Sequence, residues 1–443
     1  MQLAMFNQKP KDYQKLFLDM DSFFASVEQQ VNPQYRKKPV GIAPYTGNTG
    51  CVISASKEAK KLGIKTGTLV GEAKQRCPNL VILESRPALY HLYHQEIIKA
   101  LYDLSPFLKI LSIDEMTIRL TKGEQGYRCA LKIALEIKNK IKEKVGDFLT
   151  CSVGVGPNQF LAKVAAESKK PDGLAIVELS RLTEFYRNLR LLDLPGININ
   201  MERILNYFGI KTALDFYKTV IMRLKAILHH PGKVWYFRLR GYEIDEVETK
   251  IGSLGHSFVL PPQYRNKQAT EKVIIKLATK IGYRLRAAKL SAAALSLSIK
   301  FEGNYARVFC KMPSTSNSHE IIRYALHLFS KIYPVKSDKV GPPKAEFHRV
   351  KFNSTPFFVY LNSFNLKPHQ KQRSFFPQTQ KLSDLSQAMD KINDKYGAGT
   401  ITPASLQDAE DAAPDRIPFG KPRYEIRYKN LDSRFARIKN PSR

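Results

Sequence analysis

The chain has 443 residues, more than one ordinary domain uses, and 43% of them are hydrophobic, enough for several buried cores. Its 71 Lys and Arg against 40 Asp and Glu leave a formal charge of +31, which favours a polyanionic partner, nucleic acid first and a membrane surface second. An apolar stretch of about 20 residues and a signal-peptide pattern are both missing, and the five cysteines, Cys51, Cys77, Cys129, Cys151 and Cys310, form no C-x-x-C pair; these features argue against a membrane span, a disulfide framework and a zinc site.

Residues 1–15 are polar and read as a flexible leader. The next stretch, Phe17-Leu18-Asp19-Met20-Asp21-Ser22-Phe23-Phe24-Ala25-Ser26-Val27-Glu28, opens as a buried strand, with Asp19 at its C-terminal end before a turn and a helix. Residues 31–78 carry dense Gly, Pro, Ser and Lys between short strands at 39–43 and 51–55, and read as a small lobe inserted into a larger one. Helical spacing returns at 90–102 and 129–145, with a strand at 150–155.

Between them, Ser112-Ile113-Asp114-Glu115 joins two apolar runs. Side chains alternate faces along a strand, so adjacent carboxylates reach one ligand only at a bend, and this pair is expected at a hairpin tip. Such a tip offers hard oxygen ligands of the kind Mg²⁺ accepts, with Asp19 as the best partner. The competing reading makes Asp21 or Ser22 a helix cap and Asp114-Glu115 a solvated turn. Gly154-Val155-Gly156-Pro157-Asn158 is a weak phosphate-loop signal, because the lysine-serine ending is absent. Leu194-Pro195-Gly196-Ile197-Asn198 leads into a helix that reaches Phe208-Gly209-Ile210. Past residue 251 come a lone His256, a helix with Lys272, Lys276, Lys280, Arg284 and Arg286, and strands at 294–301 and 355–364. The segment 335–344, bounded by Pro334, Pro342 and Pro343, has no assignment, and the last forty or so residues read as disordered.

The Asp19 and Asp114 stretches, with residues 152–173 as a third motif, resemble in type and order the signatures of the Y-family, or translesion, DNA polymerases. The resemblance runs from about residue 16 to 403. It implies an α+β, multidomain right-hand polymerase with a palm (16–30 and 79–189), small fingers (31–78), a helical thumb with a helix-hairpin-helix (190–250), a separate little finger (251–368) and a tail (369–443). It also implies a DNA-directed DNA polymerase that extends a primer with dNTP, lesion-tolerant and of low fidelity. Asp19, Asp114, Glu115 and the Met20 carbonyl would hold two Mg²⁺ ions.

Further residue roles follow from the resemblance. Phe23, Phe24, Ser54, Lys57, Lys60 and Lys170 would line the nucleotide site, with Phe24 as the steric gate against ribose. Lys57 and Lys60 stand where the family commonly has tyrosine and arginine, and so lose a directed hydroxyl and a bidentate fork. Asn198 replaces the usual second glycine of the thumb hairpin, and the basic helix of the little finger is expected on DNA. Gln372, Phe375 and Phe376 resemble a sliding-clamp-binding peptide. The resemblance is to bacterial types related to the polymerase IV and polymerase V branches, and the approach at residues 49–53 leans to the polymerase V catalytic subunit. A soluble, cytoplasmic, nucleoid-associated monomer is expected. Two alternatives stay open: another palm-type enzyme such as a nucleotide cyclase, and an inactive DNA-binding or clamp-associated paralogue, the latter because Met116 and Arg119 replace the family's small residue and aspartate.

Overall fold

A computed structural model describes residues 10–244, 251–333, 355–369, 377–397 and 399–406, with 409, 412 and 413. The chain forms two compact units, one running to Glu248 and one from Thr249 to Pro414.

In the first unit, β1 (Lys15–Met20) is buried along its whole length and runs into helix α1 (Phe23–Val31). A small lobe follows, made of β2 (Val40–Ala43), β3 (Ser54–Ala55), α2 (Lys57–Lys61), α3 (Val70–Arg76) and β4 (Val81–Glu84), with sheet order β3-β2-β4. Val40 pairs in parallel with Val81, so the lobe keeps the chain through Glu84. The boundary expected at residue 78 is therefore too early, because a parallel partner lies beyond the connection and carries no turn signal of its own. Helix α4 (Pro87–Tyr102), the hairpin of β5 (Leu108–Ile110) and β6 (Glu115–Arg119), helix α5 (Tyr127–Lys144), β7 (Cys151–Gly156), α6 (Gln159–Ser168) and β8 (Leu174–Ile176) complete a larger sheet of order β5-β6-β1-β7-β8.

β1 is the central strand of that sheet, antiparallel to both β6 and β7. Gly154 has a packing role: a Cβ there would lie 1.9 Å from the Ala162 carbonyl oxygen, so glycine lets α6 lie on β7. Asn158 then caps α6, accepting from the Leu161 amide at 2.7 Å and donating to the Arg238 and Tyr242 carbonyls at 2.9 and 2.8 Å. The supposed phosphate loop is thus a helix-packing turn. The leader also ends earlier than expected, since Gln14 bonds Gly156 and Leu120 and Asp12 accepts from the Leu179 amide.

Helices α7 (Leu182–Arg187), α8 (Ile199–Tyr207), α9 (Ala213–Lys218), α10 (Ile221–Leu228) and α11 (His230–Leu239) pack around Tyr186, Leu194, Leu205, Phe216 and Trp235. Gly196 has φ +98°, a left-handed turn, whereas Asn198 is extended and caps α8 by accepting from the Met201 amide at 2.9 Å. The second position of that hairpin therefore needs no glycine.

The second unit is a sheet of order β11-β10-β12-β9, built from β9 (Ser253–Val259), β10 (Leu290–Phe301), β11 (Asn304–Thr315) and β12 (Pro356–Pro368). Helices α12 (Lys267–Ala287) and α13 (Ser318–Ile332) cover one face, burying Leu295, Leu297, Ile299, Val359 and Leu361. The tail joins this unit. On α14 (Pro377–Tyr396), Asp390 takes both nitrogens of the Arg286 fork at 2.6 and 2.8 Å, and Asp394 accepts from Tyr283 at 2.6 Å. Ala409, Ala412 and Ala413 lie in the same core, within the stretch expected to be disordered. The expected boundary at 368 is corrected accordingly.

The basic run of α12 is also placed differently. Lys280 donates to the Ala413 carbonyl at 2.6 Å, Arg284 to Gly255 at 3.3 Å, and Arg286 to Asp390 and Ser316, so these three side chains meet protein, while Lys272 and Lys276 are half-buried. His256 stands opposite Leu361 on the helix-facing side of β9, half-buried and packed. The 335–344 segment and Gln372, Phe375 and Phe376 lie outside the described residues. Among the described residues, no helix is long and apolar enough to cross a membrane.

Candidate active site

The register of the large sheet assembles the site. Asp19, at the end of β1, pairs directly with Glu115 at the start of β6, so both side chains leave the same face, the one α6 covers. The tip between β5 and β6 is tight. Leu111 and Ser112 donate their amides to the Glu115 carbonyl at 3.0 and 3.1 Å, and Met20 donates its amide to the Asp114 carbonyl at 3.0 Å. Ser112 braces the tip, its hydroxyl donating to Asp114 Oδ1 at 2.6 Å and accepting from the Glu115 amide at 3.0 Å. The adjacent acids do sit at a bend, as the alternation of strand faces requires.

One member of the cluster was not expected. Carboxylate oxygens of Asp19, Glu115 and Glu167 lie within 4.8 Å of one another, while Asp114 turns an oxygen to Ser112. Glu167 is on α6, one turn after Lys163, and Lys163 Nζ donates to Glu115 Oε1 at 2.6 Å and lies 3.9 Å from Glu167. The sequence signal was the charged pair Lys163 and Glu167, four apart in an otherwise alanine-rich helix segment; their shared face meets the acids.

Burial makes Asp19 costly to ionise. It is 6% exposed, and burial first, with the Asp114 and Glu115 charges adding, raises its pKa to about 7 against the pull of Lys170. Lys170 Nζ lies 2.7 Å from Asp19 Oδ1. Burial pulls the Lys170 pKa down, but Asp19, together with Glu167 and Asp21, outweighs it and the pKa ends above the usual lysine value. Burial, followed by the Lys170 charge, lowers the pKa of Lys60, although Asp19, Asp21 and Asp114 act on it in the other direction. The charges of Lys60 and Lys170 thus act on the acid cluster, Lys170 by direct contact with Asp19.

Lys57 goes elsewhere, donating to Thr150 Oγ1 at 2.6 Å on the large-sheet side. Asp21, 3% exposed, accepts from Thr150 and Ser152 hydroxyls at 2.7 and 2.8 Å and from the Asp172 amide at 2.7 Å. Ser22 makes no side-chain cap of α1, so the capping alternative falls. Phe23 and Phe24 are both buried; Phe24 is 4% exposed and stacks on Tyr90 with centroids 4.5 Å apart. Ser54 Oγ accepts from the Ala25 amide at 3.4 Å, beside Phe24. Met116 is wholly buried and Arg119 lies over the Phe107 ring at 4.6 Å, so neither intrudes on the acids.

Hard carboxylate oxygens and flanking ammonium groups fit divalent cations and phosphate. Residues 18–167 match the impB/mucB/samB family and residues 252–344 its C-terminal domain. The DNA polymerase IV of Moorella thermoacetica is 30% identical over 398 residues, spanning 87% of this chain and 94% of that protein. That of Pelotomaculum thermopropionicum is 29% identical over 404 residues, spanning 88% and 96%. These relatives carry the polymerase IV name and give no support to the leaning toward polymerase V. In fold, a chimeric Y-family DNA polymerase superposes with a TM-score of 0.66 at 23% identity, covering 79% of this chain and 98% of that one. A palm-type cyclase and an inactive binding paralogue drop out, and the chain belongs to the Y family of translesion DNA polymerases, DNA-directed enzymes that extend a primer.

Proposed function

We propose that Asp19, Asp114, Glu115 and the Met20 carbonyl hold two Mg²⁺ ions for template-directed addition of dNTP to a primer 3′-hydroxyl. The observation that carries this reading is the direct pairing of Asp19 with Glu115, which brings their carboxylates together beneath Lys163 and Lys170. When bound, the ions supply acidification of the primer hydroxyl and neutralisation of the triphosphate. Lys60 and Lys170 add positive charge for the phosphates, and Lys170 exchanges its carboxylate partner for phosphate oxygen. Phe24 closes the sugar side. Primer-template DNA and dNTP are the partners; a monomer acting in the cytoplasm on the nucleoid, and a sliding clamp bound through Gln372, Phe375 and Phe376, complete the reading.

Extension of a primed template with Mg²⁺ tests it. Asp114→Ala and Glu115→Gln should each abolish extension while primer-template affinity stays near wild type, because backbone contacts supply most of that affinity. Extension surviving in Asp114→Ala would remove the assignment.

A further inference from the structure

The Lys57 contact belongs to a longer chain of hydrogen bonds. Lys57, at the first turn of α2 in the small lobe, donates to Thr150 Oγ1 at 2.6 Å, and that hydroxyl donates onward to Asp21 Oδ2 at 2.7 Å. Asp21 Oδ2 also accepts the Asp172 amide at 2.7 Å, and Oδ1 accepts Ser152 at 2.8 Å. Asp172 is fixed from its other side by Lys138, which donates to its carbonyl at 2.8 Å and its carboxylate at 2.6 Å. Two residues earlier on the same loop, Lys170 reaches Asp19 at 2.7 Å. With three donors on its two oxygens and almost no exposure, Asp21 is occupied as a tie among the small lobe, β7 and this loop.

We propose that Lys57, Thr150 and Asp21 form a positioning relay through which the seating of the small lobe sets Lys170 against Asp19. The ammonium of Lys57 balances the buried Asp21 carboxylate through one hydroxyl, so displacing α2 removes a charge-assisted donor from the relay and loosens the Asp172 end of the loop. Lys57 thereby affects nucleotide use without touching nucleotide, and its replacement of the family's tyrosine gains a physical purpose. The inference rests on the assignment of Lys170 to the triphosphate made above.

The test is a pair of double-variant cycles on the full chain, reading KM for dNTP and kcat on a primed template, with primer-template affinity and melting temperature as controls. Lys57→Met and Thr150→Val should each raise KM by about tenfold with DNA affinity unchanged, Thr150→Ser should restore it, and the double variant should be no worse than the worse single. Lys170→Met should also raise KM, and adding Lys57→Met to it should change KM little further. Effects that multiply in either cycle would overturn the relay and return Lys57 to direct triphosphate contact. An unchanged KM in Lys170→Met would instead overturn the triphosphate assignment. If Thr150→Val does not fold, the Lys57 and Lys170 cycle decides alone, since both side chains reach solvent.

Discussion

Asp19 holds its proton to a pH at which an unfolded chain has long lost it. Its pKa is about 7 in the folded protein against an ordinary value of 3.8, so between those values the folded state binds more protons than the unfolded one. Stability therefore falls as pH rises through that window, and below about pH 4 the group contributes nothing. In the absence of divalent cation, Asp19→Asn should be more stable than wild type at pH 8, with the gain vanishing toward pH 4. Urea unfolding across the pH range measures this, and parallel curves for the two proteins would refute the burial argument. Phe24 is a second residue whose roles conflict. In the proposed role its flat ring stands on the nucleotide side, leaving a 2′-hydroxyl no room and no partner. Yet the ring also stacks on Tyr90, so truncation carries a packing cost that the motif alone did not reveal. Phe24→Ala should raise ribonucleotide incorporation by at least about tenfold and lower unfolding free energy by about 3 kcal/mol, whereas Phe24→Leu should keep most of the stability and still admit ribonucleotides. Unchanged discrimination in an active Phe24→Leu enzyme would place the gate elsewhere.

The elements were readable where one periodicity or one turn determined them. The β1 strand, the hairpin acids and helices α4 and α5 lie within a few residues of their expected positions, because alternation and helical spacing are local signals. Partners across the sequence were not readable. β4 pairs with β2 through a parallel ladder, Glu167 enters the acid cluster from the next helix, and the tail folds back onto α12. In each case the deciding interaction joins distant residues, and no local pattern announces that Arg286 supplies the countercharge for Asp390. That fork is bidentate and partly buried, so it should matter more than a surface pair. Asp390→Ala should lower the melting temperature of the second unit's transition by several degrees, as Arg286 also anchors Ser316 and Ser318. Scanning calorimetry measures it, and an unchanged transition would show that α14 contributes no stability there.

At the scale of the whole molecule, the +31 charge predicts a polyanion as partner but does not locate the contact. The basic helix α12 was the natural place to look, and its Lys280, Arg284 and Arg286 bond protein carbonyls and the Asp390 carboxylate. The other face of the same sheet has the opposite character. Arg307 and Lys311 on β11 and Lys300 on β10 are exposed there, and Ser296 and Ser298 lie between them and β12. Side chains of one parity share that face, where Tyr305 and Phe309 stand exposed among the basic residues and Tyr305 donates to the buried Ser298 hydroxyl at 3.2 Å. A duplex backbone can approach such a surface closely, with contacts that neutralise phosphate and read no base. Arg307→Ala and Lys311→Ala should each weaken primer-template binding to a similar extent for all sequences. Each should also reduce the slope of log affinity against log salt by about 1, with kcat at saturating DNA unaffected. Lys272→Ala on α12 should leave the slope at its wild-type value. Filter binding or fluorescence anisotropy at several salt concentrations distinguishes the two faces, and a slope that falls for Lys272→Ala but not for Arg307→Ala would put the DNA on the helical side.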